Sequence, residues 1–125
     1  TAISVHSTPL DDSETKRPAS KREKGISGHN LVLLFLWNEL VTKSGWTIKK
    51  LWDKISFGPS QVLNQTEERL SIGRNRWLLF DPDKEWIQHS KENLLTTATN
   101  QPAKGQKIRG KVIDSGLITQ APQND

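Results

Sequence analysis

The 125-residue chain contains no cysteine, no methionine and no tyrosine. Without cysteine there is no disulfide framework, no thiolate metal site and no thiol nucleophile. Apolar residues are also scarce. Only 33% of the chain is hydrophobic, against roughly 45–50% (glycine counted) in an ordinary compact domain. The longest unbroken apolar run is Leu31 to Trp37, far short of the ~18 residues a membrane-spanning helix needs. The sequence opens at Thr1 with neither methionine nor a basic region ahead of an apolar stretch, so no secretory signal is visible. The expectation is a piece of a longer or processed chain. The length suits one modest domain and not two.

What is present is charge. Lys and Arg number 18 against 14 Asp and Glu, a net charge of +4. Residues 11–24 are nearly balanced, while 43–54 and 104–111 are net basic. A nucleic-acid surface needs such charge focused on one face with aromatics to stack on. Charge spread this way reads as solvated surface and argues against a nucleic-acid partner.

Residues 2–5 (Ala-Ile-Ser-Val) form a short apolar run of strand character, stopped by Pro9. Residues 7–28 are polar and read as a long loop. Residues 30–43 read as a helix apolar nearly all round and hence buried on several sides, with Asn30 as N-cap and Gly45 as left-handed stop. Thr47 caps a second helix to about Phe57. Ile48, Leu51, Trp52 and Ile55 form its apolar stripe, and Gly58-Pro59 breaks it. Pro59 to Leu63 makes a short third helix. Trp77 to Phe80 reads as a strand ended by the turn residues Asp81-Pro82-Asp83, with Glu85 to Ile87 a second strand. Residues 90–106 are polar and irregular. Residues 107–113 alternate as a strand, Gly116-Leu117-Ile118 suggests a closing hairpin arm, and the last seven residues read as a frayed tail. This order is awkward for an independent fold. The first strand has no partner nearby, and the Leu31–Val41 helix needs more cover than two short helices give. The simplest expectation is a part of something larger.

In order, these pieces resemble the C-terminal part of a dihydroorotase, a cyclic amidohydrolase of the amidohydrolase superfamily. Ala2-Ile3-Ser4-Val5 with Pro9 resembles the eighth barrel strand and its Asp-His-Ala-Pro-His signature. Gly25-Ile26-Ser27-Gly28 resembles the Gly-Ile-x-Gly substrate loop. Leu31 to Leu40, then Leu51-Trp52 and Ile55-Ser56 with Pro59 and Leu63, resembles the helix pair and the Ser-x-Asn-Pro-Ala-x-x-Leu segment. Leu79-Phe80-Asp81-Pro82 with Trp86, then Asn100-Gln101-Pro102, Gly105 and Ile108 to Val112, resembles the tail motifs.

The resemblance implies an α/β fold: the C-terminal portion of a (β/α)8 barrel followed by short strands of an accessory β-sandwich. Residues 1–28 would be the last barrel strand and active-site-type loop, 29–64 the terminal barrel helices, 65–118 the sandwich strands and 119–125 a tail. Catalysis in such barrels sits at the C-terminal ends of the strands. In the family two zinc ions carry a hydroxide that attacks a cyclic amide, and an Asp moves the proton. Here the catalytic Asp position is His6, the following His is Ser7, and the substrate-binding His position is Leu10. The family's His-x-His zinc pair is absent from these 125 residues, which are also too few for the roughly 200–250 of a closed barrel.

No catalytic residue and no metal ligand is therefore assigned, and no cofactor is expected on this chain alone. His6 reads as a polar strand-end residue, and His29 and His89 as surface residues without ligand spacing. Lys21, Arg22 and Lys24 read as solvated loop charge, although such a cluster attracts anions. The five tryptophans read as core or interface anchors, with Trp37, Trp52, Trp77 and Trp86 the interface candidates, since tryptophan brings large area to a contact. The reading is a dihydroorotase-like segment, inactive alone, cytoplasmic, with a structural or partner-binding role. The partner is another chain or a missing N-terminal half, and aspartate transcarbamoylase is a companion implied by analogy. The alternatives are part of an active zinc-dependent enzyme whose N-terminal part supplies the metal ligands, and a small basic binding protein.

Overall fold

The computed structural model describes residues 2–67, 69–73, 75–88 and 98–116. It is a mixed helix and strand structure with a two-stranded antiparallel sheet. His89, residues 90–97 of the irregular 90–106 stretch, Leu117, Ile118 and the 119–125 tail lie outside the described residues.

Ala2 to Val5 forms no strand. The segment is extended, and Ile3 N–H donates to the Lys54 carbonyl at 2.9 Å. A strand needs a ladder neighbour, and none of the described segments lies alongside it as one. Val5 stays exposed. The long loop follows, interrupted by one helical turn, α1 (Asp12–Thr15). Asp11 caps that turn by accepting from Glu14 N–H. Its carboxyl is held below the ordinary Asp range, first by the Ser13 hydroxyl and then by that same N–H.

The first large helix enters through a 3-10 turn, His29–Leu31, runs as α2 (Val32–Leu36) and widens into a π-helical stretch, Trp37–Lys43. Asn30 is not its N-cap. It sits inside the 3-10 turn that begins after Gly28, and its side-chain nitrogen is buried without a hydrogen-bond partner. Gly45 has the left-handed φ of +68° expected of a stop. Trp46 N–H reaches back to the Leu40 carbonyl at 2.8 Å.

Thr47 does cap the next helix, its hydroxyl accepting from Lys50 N–H at 3.1 Å. This helix comprises α3 (Ile48–Trp52) and a π-helical continuation, Asp53–Phe57. Leu51 is fully buried, Trp52 and Ile55 are half-buried, and Ile48 is exposed, so the apolar stripe meets protein along only part of its length. Gly58-Pro59 does not break the helix. Gly58 is helical (φ −60°, ψ −45°), and the chain runs directly into α4 (Gly58–Val62). Pro59 falls in the first turn of α4, where its missing N–H costs least.

The two expected strands before residue 88 are one strand, β1 (Leu78–Ile87), paired with β2 (Lys107–Ser115). Asp81 faces Lys111 and Glu85 faces Arg109, so residues 82–84 stand opposite Gly110 alone. The turn chemistry builds this bulge. The Asp81 carboxylate accepts from Asp83 N–H at 2.9 Å and from Lys84 N–H at 3.1 Å. Pro82 sits where the ladder needs no donor. Opposite, Gly110 has φ +93°, and a Cβ there would lie 3.0 Å from both Leu34 and Phe80.

The core lies between the start of the first helix and the hairpin. Leu31, Leu34, Trp86, Ala103 and Ile108 are buried together, with Phe80 packed on their edge. The Trp86 indole N–H donates to the Gly110 carbonyl at 2.8 Å, so the ring is buried with its polar atom satisfied. Gln88 and Gln101, also buried, hydrogen-bond through their side-chain amides beside this core.

Candidate functional site

Two regions carry the residues singled out from the sequence. The first is the loop cluster that follows His6. The loop folds back so that Thr8 N–H donates to the Ile26 carbonyl at 3.1 Å and the Ser7 hydroxyl reaches the same carbonyl at 3.3 Å. The approach is close at Gly25, where a Cβ would come within 2.4 Å of the Thr8 side chain. Glycine is required there for space. At Gly28 a Cβ would find ordinary room beside Pro102.

Asn100 holds this cluster together, from 75 to 92 residues away in sequence. Its side-chain oxygen accepts from Leu10 N–H at 2.9 Å. Its amide nitrogen donates to the Thr8 carbonyl at 2.7 Å and to the Gly25 carbonyl at 3.2 Å. Its own carbonyl accepts from Ser27 N–H at 3.2 Å. Thr99 adds two donors to the Leu10 carbonyl, its N–H at 2.9 Å and its hydroxyl at 3.1 Å. This tie was not singled out as a site residue from the sequence. The available signal was Asn100 within the Asn100-Gln101-Pro102 motif.

Leu10 is buried and both of its backbone polar groups are engaged. It acts as an anchor of the loop. His6 is exposed, and its ring nitrogen lies 3.5 Å from the Ser4 hydroxyl. Among the described residues no group of three or more His, Asp or Glu side chains could hold a metal ion. The described side chains therefore do not fit the zinc pair implied by the resemblance. Lys21, Arg22 and Lys24 are exposed, and the Arg22 guanidinium donates to the Arg17 carbonyl at 3.0 Å.

The second region concerns four of the five tryptophans, which separate into three environments. Trp86 is a core residue, one of the two roles open to the tryptophans: 7% of its surface is exposed and its indole N–H is bonded inside the hairpin. Trp37 is half-buried and stacks at a tilt on Phe80, ring centroids 5.3 Å apart. Leu34, Trp37 and Phe80 wall a small cavity of about 150 Å³, with the Arg109–Asp83 ion pair also on its lining. Trp52 and Trp77 share one groove of about 550 Å³, completed chiefly by Leu33, Ile55, Leu70 and Leu78.

The described residues form a small closed core, a pinned loop cluster and an apolar groove. The chain is similar to dihydroorotases and dihydroorotase-like proteins along about nine-tenths of its length. It is 31% identical over 112 residues to a Synechocystis protein described as a "Probable dihydroorotase-like protein", covering 90% of this chain and 24% of that protein. It is 32% identical over 112 residues to a dihydroorotase-like protein of Pseudomonas aeruginosa, covering 89% and 26%. A dihydroorotase of Clostridioides difficile is 28% identical over 111 residues, covering 88% and 26%. No protein-family model matches the chain. The chain spans about a quarter of the length of these relatives. No helix among the described residues is long and apolar enough to cross a membrane.

Proposed function

We propose that the chain is a dihydroorotase-like segment without catalytic activity of its own, whose work is structural: it docks on, or completes, a larger dihydroorotase-like assembly. The observation that carries this reading is the use made of Leu10. At the position where the resemblance puts a substrate-binding His, the chain has a buried apolar side chain whose backbone is fastened by Asn100 and Thr99. The family's catalytic Asp position is His6, exposed and hydrogen-bonded only locally. The loop architecture is present while the chemical groups are not.

On this reading residues 1–28 correspond to the last barrel strand and its loop, 29–64 to the terminal barrel helices and 65–118 to sandwich strands. Ala2 to Val5 then stays unpaired until a neighbouring barrel strand is supplied. The family places the assembly in pyrimidine biosynthesis and in the cytoplasm, and analogy makes aspartate transcarbamoylase a candidate partner.

The test restores the missing groups. The double variant His6→Asp with Leu10→His should not hydrolyse dihydroorotate, with or without added zinc, because the described residues include no ligand cluster to hold the metal. Hydrolysis by that variant alone would overturn the proposal. Hydrolysis by the unaltered chain once a relative's N-terminal part and zinc are supplied would instead favour a divided enzyme.

A further inference from the structure

Residues 16–24 leave the loop cluster and return to it between two fastened points. At one end the Thr15 hydroxyl lies 3.3 Å from the Thr99 hydroxyl. At the other the Gly25 carbonyl accepts from the Asn100 amide at 3.2 Å. Every residue between them is exposed. Within the excursion, Lys21 N–H donates to the Pro18 carbonyl at 2.8 Å and closes a turn over residues 18–21. The Arg22 guanidinium reaches back across that turn to the Arg17 carbonyl at 3.0 Å. Lys16 pairs with Asp12, and Arg17 with Glu14 at 2.6 Å. Surface ion pairs are weak and exchange for an outside partner at little cost.

The excursion displays a charge pattern around one hydroxyl. Ser20 is the third residue of the turn. Lys16 and Arg17 stand four and three residues ahead of it, and Lys21, Arg22 and Lys24 follow, with Glu23 the one carboxylate between. Basophilic serine kinases use carboxylates of their own to read an arginine three residues before the acceptor, whose planar fork suits them. Arg17 is the only arginine of the chain with a serine or threonine at that spacing. Among the lysines only Lys24 has one, Ser27. Ser27 is 7% exposed and its N–H is bonded to the Asn100 carbonyl. The two serines share a sequence pattern, and the structure offers one and withholds the other.

We propose that Ser20 is a phosphorylation site for a basophilic serine/threonine protein kinase. The Ser20 hydroxyl oxygen bonds to the γ-phosphorus of ATP as the bond from that phosphorus to the bridging oxygen breaks. ADP leaves, and an aspartate of the kinase takes the hydroxyl proton. Five cations and one carboxylate lie within four residues of Ser20. A phosphoserine carries about −1.5 to −2 charge at pH 7 and removes roughly half of that positive excess. Arg22, already folded back across the turn, gains a charged acceptor in place of the Arg17 carbonyl. The modification thereby switches the attraction of this loop for anions.

The test incubates the full 125-residue chain with magnesium, ATP and the catalytic subunit of cyclic-AMP-dependent protein kinase, a basophilic enzyme, and maps the phosphate by mass spectrometry. One phosphoryl group per chain is expected, on Ser20, with Ser27 unmodified. Ser20→Ala should abolish incorporation. Arg17→Ala should lower kcat/KM at least about tenfold, because it removes the guanidinium that the kinase reads. Both side chains are exposed, so neither substitution disturbs the core. Phosphorus NMR then follows the second ionisation of the phosphoserine. Its midpoint should fall below the ordinary value of about 6, since neighbouring cations favour the dianion, and Arg22→Ala should move it back. No incorporation, incorporation at another residue, or a rate indifferent to Arg17→Ala overturns the site. A midpoint at the ordinary value, unmoved by Arg22→Ala, overturns the pairing of the phosphate with the loop.

Discussion

The first large helix has two faces with opposite fates. Leu31 and Leu34 turn into a closed core against Trp86, Ala103 and Ile108. Leu33, one residue earlier than Leu34, lines an open groove with Trp52 and Trp77. The sequence is equally apolar on both sides of this helix. What separates the faces is the hairpin, which covers one and ends beside the other. A helix apolar nearly all round suits cover on several sides, and among the described residues a closed core forms over one of them.

Substitutions can break this contrast. The largest loss is expected for Trp86→Ala, which empties a buried, hydrogen-bonded aromatic site and should cost about 3–5 kcal/mol. A denaturant midpoint close to that of the unaltered chain would mean the hairpin is not the core's main wall. Asn100→Ala should cost about 1–3 kcal/mol, because it leaves the Leu10 N–H and two loop carbonyls without their partner. Amide hydrogen exchange at Leu10 should quicken with it, and unchanged exchange there would show that the loop cluster is held by other means. Trp52→Ala should cost the isolated chain least, about 1–2 kcal/mol for a half-buried ring. Its cost should rise in a chimera in which the chain replaces the matching 112 residues of the Synechocystis relative, if that polypeptide covers the groove. Equal cost in both settings would remove the distinction between the faces.

Much of the fold was legible locally. The Thr47 cap, the Gly45 stop and the 107–113 strand are each written in a few neighbouring residues. Asp81-Pro82-Asp83 misled because the same side-chain-to-backbone bonds that close a turn also build a bulge, and only the partner strand decides between them. Gly58-Pro59 misled for a related reason: proline is compatible with the first turn of a continuing helix. The 2–5 segment has strand composition but no ladder partner among the described residues, and composition cannot supply one. The tryptophans were the hardest to read. Five identical side chains look alike as anchors, and only the hairpin register places Trp86 inside while leaving Trp77 at the groove.

The candidate site was half legible. Gly25 and Gly28 were marked by the motif, and the packing at Gly25 against Thr8 gives one of them a physical reason. The tie through Asn100 spans most of the chain, so no local pattern reveals it. The groove is likewise a product of three elements meeting, visible in the sequence only as unassigned tryptophans and leucines.

The most direct test of the central claim is the intact mass of the chain from its native source, with the solution mass of the species that carries it. The account predicts a species much larger than 14.1 kDa, either one polypeptide of the relatives' length or a complex with a separate partner. A free, monomeric chain of that mass, stable with the Trp52–Trp77 groove open to solvent, would contradict it.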